Sequence, residues 1–202
     1  MFALVESGSI SKMLNGNRGI TIGDNQYPRS IFTLWSADER EAIGIYEVEI
    51  DTTNKKDEAW YINTNVTYSF GSEKVTGSYG SATAKAIADT LFTAEDESNG
   101  LGTEGEVKVK GLKTLKKQII KKQAAGILQD TDWYVTRKAD AGTAIPSAVS
   151  THRAAVRTKS GEMETAIDNA SDVDALAALY AYTEQEDGSF TRPLGEFPVL
   201  EA

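Results

Sequence analysis

The spacing of apolar residues changes near residue 98, and this change constrains the fold more than any other feature of the sequence. Before it, apolar and polar side chains alternate, as in residues 43–50, where Glu47 and Glu49 fall on the solvent face. Such alternation is typical of half-buried strands. After Gly100, apolar residues recur every three to four positions, which indicates helices. The sequence therefore predicts an α+β chain.

Three regions are expected within this α+β fold. Residues 1–98 are predicted to form a small, antiparallel, β-rich N-terminal domain with short helices. Residues 99–183 are predicted to form a helical hairpin or bundle. Residues 184–202 are punctuated by proline, and we expect an extended C-terminal tail.

Individual elements follow from turn and capping signals. Ser36 and Glu39 form a capping box, which predicts one or two helical turns after Ser36. A hairpin is expected around Gly71 and Ser72, between two β-rich segments. Longer helices are predicted at residues 82–92, 103–128 and 147–170, and a last short helix is predicted to follow Asp172.

Composition excludes several kinds of site. The 202 residues include no cysteine and a single histidine, His152, so disulfides, thiolate metal sites and sites built from two imidazoles are excluded. The net charge of −9 argues against a nucleic-acid binder, because phosphate neutralisation needs a basic surface. No apolar run approaches the roughly 20 residues that a membrane span needs, and we expect no membrane partner.

Enzyme motifs are also missing from the sequence. There is neither a Walker-type phosphate loop nor a Gly-x-Ser-x-Gly elbow. The enzymatic alternative is a small hydrolase acting on surface polysaccharide, with Ser78 or Ser81 as nucleophile and His152 as base, but no orienting acid or oxyanion hole can be assigned to it. We therefore predict a non-enzymatic protein with no catalytic, cofactor-binding or metal-binding residue.

Seven lysines lie within the fifteen residues 108–122, and no acidic residue lies among them. On a helix, four of these lysines share a face; they are Lys113, Lys116, Lys117 and Lys121. One interpretation is a solvated face. The alternative is contact with an acidic surface, which belongs either to this chain or to a partner.

Four apolar residues are spaced by seven along the predicted helix at residues 147–170. We call them the heptad seam; they are Val149, Val156, Met163 and Ala170. We favour an antiparallel hairpin with the 103–128 helix in the same chain, because the flanking residues are small and bury little area. The alternative is a fibre-forming homo-oligomer, in which copies meet along the seam.

One stretch resembles a known family. Residues 130–139, 142–147 and 152–157 resemble the C-terminal segment of tail-fibre-assembly-type proteins of tailed bacteriophages, in which the pattern TDW-Y-RKAE-G-IP---YRA-LR is typical. Asp140 replaces the usual glutamate of that pattern, and His152 stands where an aromatic residue is common. The resemblance implies a tail-associated protein that binds a tail fibre or baseplate protein. It would act as an assembly chaperone in the host cytoplasm or as a retained subunit of the virion tail.

The residues of this stretch suit docking better than chemistry. Aromatic and arginine side chains are typical of interface hot spots. The predicted partner-binding residues include the four lysines Lys113, Lys116, Lys117 and Lys121. They also include the aromatic and basic residues of this stretch; these are Trp133, Tyr134, Arg137, Lys138, Arg153 and Arg157. Asp132 is expected to pair with Arg153 or Arg157 across the turn at residues 142–146. The alternative for Trp133 is a core residue of the helical half.

Overall fold

The computed structural model describes residues 1–200. Strands dominate its N-terminal part and helices its C-terminal part, so the predicted α+β class is confirmed. The chain divides into two compact units, the first ending at Ala84 and the second beginning at Lys85. The division thus falls fourteen residues before the boundary that was expected at residue 98.

The first unit is built around a sheet with two short helices. Its elements in chain order are β1 (Phe2–Glu6), β2 (Ser9–Leu14), β3 (Ile20–Ile22), β4 (Asn25–Tyr27), α1 (Ile31–Leu34), α2 (Ala37–Glu41), β5 (Ile45–Asp51), β6 (Tyr61–Ile62), β7 (Val66–Gly71), β8 (Lys74–Tyr79) and β9 (Thr83–Ala84). The predicted capping box is present, since the Ser36 hydroxyl and the Glu39 carboxylate each accept from the other's backbone N–H. The predicted hairpin is also present, as the pair β7–β8.

Five strands form the main sheet, in the order β2-β1-β5-β8-β7. Three of its four pairings are antiparallel, but β5 and β8 run parallel, with Val48 opposite Val75. The sheet is therefore mixed, where a purely antiparallel one was expected. The reason lies in residues 52–73, which carry the chain away through β6 and β7 before β8 returns, and a parallel pair needs such a long connection.

Alternation along the strands buries both faces of this sheet. Leu4 and Ile45 pack on one face with Ile31 and Phe32 of α1. Ala3, Val48 and Val75 form the core on the other face. Adjacent residues of β1 thus serve different cores, as the period of two requires.

The second unit is mainly helical. Its elements are β10 (Thr90–Leu91), α3 (Ala94–Ser98), β11 (Val107–Val109), α4 (Leu112–Gln129), α5 (Asp132–Ala141), α6 (Ser147–Asn169), α7 (Val173–Ala178), β12 (Thr183–Glu184) and β13 (Phe190–Thr191). Helix α6 matches the prediction for residues 147–170, and Asp172 caps α7 by accepting from the Ala175 N–H.

The segments at 82–92 and 103–111 are not helical, contrary to the prediction. β10 pairs instead with β11, and helix α4 begins only at Leu112. Helix α4 begins at Leu112 because acceptors in residues 86–89 bind the backbone N–H groups at its N-terminus. Leu112 donates to the Ala86 carbonyl, and Gly111 donates to the Asp89 carboxylate at 2.6 Å. These capping contacts tie residues 85–98 to the second unit and move the boundary towards the N-terminus.

Helices α4 and α6 pack against each other within this unit. All four residues of the heptad seam are buried. Lys117 on α4 pairs with Asp168 on α6, whereas Lys121 pairs with Glu164, so the two helices are antiparallel. The intramolecular hairpin that we favoured from the sequence is confirmed, and the seam presents no free face for a fibre contact.

The tail belongs to the second unit and is not a separate extended region. Strands β12 and β13 pair as a small hairpin. Beyond it, Leu194 is 2% exposed, and its N–H donates to the Leu179 carbonyl at 3.0 Å. Burial of Leu194 anchors the segment that follows the hairpin.

Truncation of Met163 tests the α4–α6 core. Met163→Ala should destabilise the protein by about 2–5 kcal/mol, because a buried side chain is replaced by a cavity. The matched control is Thr158→Ala, at an exposed position of the same helix. The free energy of unfolding of both variants is measured by urea titration, with circular dichroism at 222 nm as the signal. This signal reports on the second unit, because the long helices lie there. An equal loss of stability in Met163→Ala and Thr158→Ala would contradict the described core.

The cap on α4 should be sensitive to acid. Hydrogen bonds from the Gly111 N–H and the Thr114 hydroxyl lower the pKa of Asp89. A lowered folded-state pKa stabilises the fold above the unfolded-state pKa, near pH 4, and this contribution is lost as the pH falls. The stability difference between the wild type and Asp89→Asn should therefore be greatest near neutral pH and shrink below about pH 4. A difference that is constant with pH in urea titrations would contradict this role.

Candidate protein-binding surface

Arg153 of α6 joins three helices at one buried point. Its side chain is 9% exposed. One terminal nitrogen, Nη1, donates to the Leu128 carbonyl and to the Thr131 hydroxyl, both at 2.7 Å. The other, Nη2, donates to the Asp132 carboxylate at 2.8 Å. The guanidinium thus satisfies the end of α4, the connecting turn and the start of α5 together.

The expected pairing of Asp132 is therefore confirmed for Arg153. Arg157 lies one turn further along α6, and its guanidinium donates to the Arg153 carbonyl at 3.4 Å instead. Arg153 is consequently a framework residue, and only Arg157 of the two is exposed. Removal of Arg153 would leave the buried Thr131 hydroxyl without its charged donor.

The Arg153–Asp132 ion pair fixes the start of helix α5, but the helix buries none of its own side chains. It ends at Gly142, whose φ of 68° is a left-handed conformation that suits glycine. Trp133 is 51% exposed and Val135 is 43% exposed. The interpretation of Trp133 as a core residue is therefore wrong, because half of its surface faces solvent.

Trp133, Tyr134 and Arg137 form a stacked cluster, which we call the α5 cluster. The two ring centroids are 3.8 Å apart, with 31° between the ring planes. The Arg137 guanidinium carbon lies 4.7 Å from the Trp133 centroid and 5.2 Å from that of Tyr134. Cation–π contacts of this kind contribute about 0.5–2 kcal/mol and hold the side chains in one arrangement.

Basic charges of the α5 cluster are not neutralised by any ion pair within residues 1–200. Among residues 1–200, neither Arg137 nor Lys138 forms an ion pair, and the Arg137 Nε is buried without a hydrogen-bond partner. Asp132, the acid at the start of the helix, is committed to Arg153. An unneutralised guanidinium against two aromatic rings can donate to a partner's carboxylate while the rings contact an apolar surface.

The four predicted lysines lie elsewhere and have contacts within the second unit. Lys117 and Lys121 pair with acids of α6 at 2.7 and 3.3 Å. The Lys113 ammonium donates to the Asp168 carbonyl, and that of Lys116 lies 4.9 Å from the Tyr180 ring centroid. The acidic surface expected for this cluster is thus α6 itself, and these lysines are not part of the candidate surface.

His152 is engaged by the C-terminal segment. Its Nε2 lies 3.3 Å from the Pro198 carbonyl oxygen. Its Nδ1 is buried and has no hydrogen-bond partner within the described part of the chain. Ser78 and Ser81, the serines considered as nucleophiles, belong to the first unit. The ring therefore packs under the tail, and its contact is with a backbone carbonyl.

Residues 1–200 hold neither a metal-binding cluster nor a membrane-spanning helix, and the chain has no significant match among known proteins. Within residues 1–200, no three His, Asp or Glu side chains are grouped so that they could hold a metal ion. None of the helices described is both long and apolar enough to cross a membrane. No protein-family model, curated protein or solved structure matches the chain significantly.

Replacement of Arg153 tests the three-helix junction. Arg153→Met should destabilise the protein by about 2–4 kcal/mol, because buried polar groups of the α4–α5 turn lose their donor. Arg157→Met is the matched control, and we expect it to change stability by less than about 0.5 kcal/mol, as for an exposed position. Asp132→Asn should cost less than Arg153→Met, since its side chain is 60% exposed and an amide oxygen still accepts. Similar unfolding midpoints for Arg153→Met and Arg157→Met would contradict the junction.

Proposed function

We propose that the chain is a non-enzymatic, tail-associated protein of a bacteriophage that binds a tail fibre or baseplate protein. It acts either as an assembly chaperone or as a retained subunit of the tail. The observation that carries the proposal is the α5 cluster, in which Trp133 is 51% exposed and which lies within the stretch that resembles tail-fibre-assembly-type proteins.

The resembling stretch supports this proposal because its residues have two separate roles. Asp132 and Arg153 hold the helices together at the buried junction. Trp133, Tyr134 and Arg137 stack on the outside of the same helix. A motif with both roles encodes a surface and the framework that presents it, as a preorganised binding site requires.

The physical chemistry of the α5 cluster favours a protein partner. Tryptophan, tyrosine and arginine are the residues that most often dominate binding energy at interfaces. A half-exposed tryptophan leaves apolar area that a partner can remove from water, at about 25 cal/mol per Å². Because the stack is already ordered, little side-chain entropy is lost when it binds.

The positive charge beside the α5 cluster indicates that the partner's surface carries acidic groups. Arg137 and Lys138 lack ion pairs within residues 1–200, on a chain whose net charge is −9. A local basic site on an acidic protein orients a partner that carries carboxylates beside an apolar patch. We therefore expect binding to weaken as salt concentration rises.

The other candidate functions gain less support. A fibre-forming oligomer needs the heptad seam, which is buried against α4 in the same chain. A polysaccharide hydrolase needs His152 as a base, and the His152 ring contacts the Pro198 carbonyl. We keep the protein-binding function as the proposal.

Truncation of the α5 cluster tests this function. Trp133→Ala and Arg137→Ala should each weaken binding to a purified fibre or baseplate protein of the same phage by about 30-fold, the effect of a 2 kcal/mol hot spot. Phe190→Ala is the matched control, since Phe190 is 60% exposed in the same unit and outside α5. Binding is measured by calorimetry, and melting temperatures are compared to exclude unfolding.

Two results would contradict the proposal. One is binding by Trp133→Ala at the wild-type affinity. The other is the absence of binding to every fibre and baseplate protein of that phage. If binding is found, identification of the chain in purified virions assigns it as a retained subunit, and its absence from virions assigns it as a chaperone.

A further inference from the structure

The first unit contains a cavity that the proposed function does not use. Its volume is about 400 Å³, and it lies between the end of β2, the loop at residues 15–19 and the start of β3. Five exposed polar residues are among those that line it; they are Lys12, Asn15, Asn17, Arg18 and Thr21. The volume falls in the range of natural small-molecule sites, roughly 300–1,000 Å³.

Two glycines fix the loop that forms the cavity wall. Gly16 has a φ of 68°, and a Cβ there would stand 3.2 Å from the rings of Phe2 and Phe32. A Cβ on Gly19 would come within 2.5 Å of the Tyr27 carbonyl oxygen. The backbone therefore approaches the body of the unit more closely than a side chain would permit. This close packing shapes the cavity before any ligand arrives.

Four polar side chains around the cavity have no partner within the described part of the chain. Within residues 1–200, Lys12 and Arg18 form no ion pair, and the side chains of Asn15 and Asn17 form no hydrogen bond. No acidic residue lines the cavity, although the sequence has 30 acidic residues against 21 basic ones. The cavity is thus rich in donors and carries two uncompensated positive charges.

We propose that this cavity binds a small sugar that bears a carboxylate or a phosphate. The Arg18 guanidinium offers the donor fork that matches either oxyanion, and Lys12 adds a second charge. The amides of Asn15 and Asn17 both donate and accept, as sugar hydroxyls require. Met13, Leu14 and Ile20, which are half-buried, supply the apolar part of the lining, against which the carbon face of a sugar ring packs. Sugar acids and sugar phosphates share this chemistry.

The test is calorimetric titration of the full-length protein with four probes. These are glucuronic acid, glucose 6-phosphate, glucose and inorganic phosphate. We expect one or both of the charged sugars to bind at least about 10-fold more tightly than glucose, since a hydrogen-bonded charge contributes about 1.5–3 kcal/mol. Binding of only one charged sugar assigns the oxyanion as carboxylate or phosphate. Inorganic phosphate should bind more weakly than the better sugar, because it lacks the hydroxyls and the ring.

Variants assign the binding to this cavity. Arg18→Ala should lower the affinity for the charged sugar by at least about 10-fold. Arg29→Ala is the matched control, because Arg29 is an exposed arginine of the same unit that does not line the cavity. Circular dichroism checks that both variants fold. Failure of every probe to bind at millimolar concentration, equal binding of glucose, or unchanged binding in Arg18→Ala would each overturn the proposal. None of these results affects the proposed protein-binding surface, which lies in the other unit.

Discussion

The buried guanidinium of Arg153 is the interaction on which the helical unit depends. A charge that is taken out of water must find good acceptors, and here they come from the end of α4, the connecting turn and the start of α5. Any change in the relative position of these helices would remove an acceptor from the buried charge. The same geometry sets the direction of α5, which begins at Asp132. The outward position of Trp133 is therefore a consequence of how Arg153 is satisfied.

The charge pattern of the chain follows from the same packing. Basic residues of α4 and acidic residues of α6 face each other along the antiparallel pair, so the lysine-rich stretch is matched within the unit. Such pairs are partly exposed and contribute little individually. On α5, by contrast, Arg137 and Lys138 form no ion pair within residues 1–200, and Arg137 lies against an aromatic surface. A short helix with no buried side chain is otherwise hard to explain, because it adds little to the core.

Local signals in the sequence predicted some of this structure, and long-range contacts account for what they missed. The Ser36 capping box, the heptad seam and the pairing of Asp132 with one of two arginines, Arg153 or Arg157, were all predictable, because each depends on spacing or on charge across one turn. Residues 103–111 were predicted as helix from local spacing and capping signals, whereas contacts with Asp89 and β10 hold the segment in a non-helical conformation. The parallel β5–β8 pair and the cavity beside Gly16 depend on contacts between distant residues, which no local pattern records.

A measurement of the solvent exposure of Trp133 tests most directly whether α5 presents an aromatic surface. In a Trp35→Phe/Trp60→Phe background, Trp133 is the only tryptophan that emits. We expect iodide to quench its fluorescence efficiently, and more strongly than caesium does, because Arg137 and Lys138 attract an anion. An emission that neither ion reaches would place the ring in the interior. The chain would then have no aromatic surface on α5 to offer a partner.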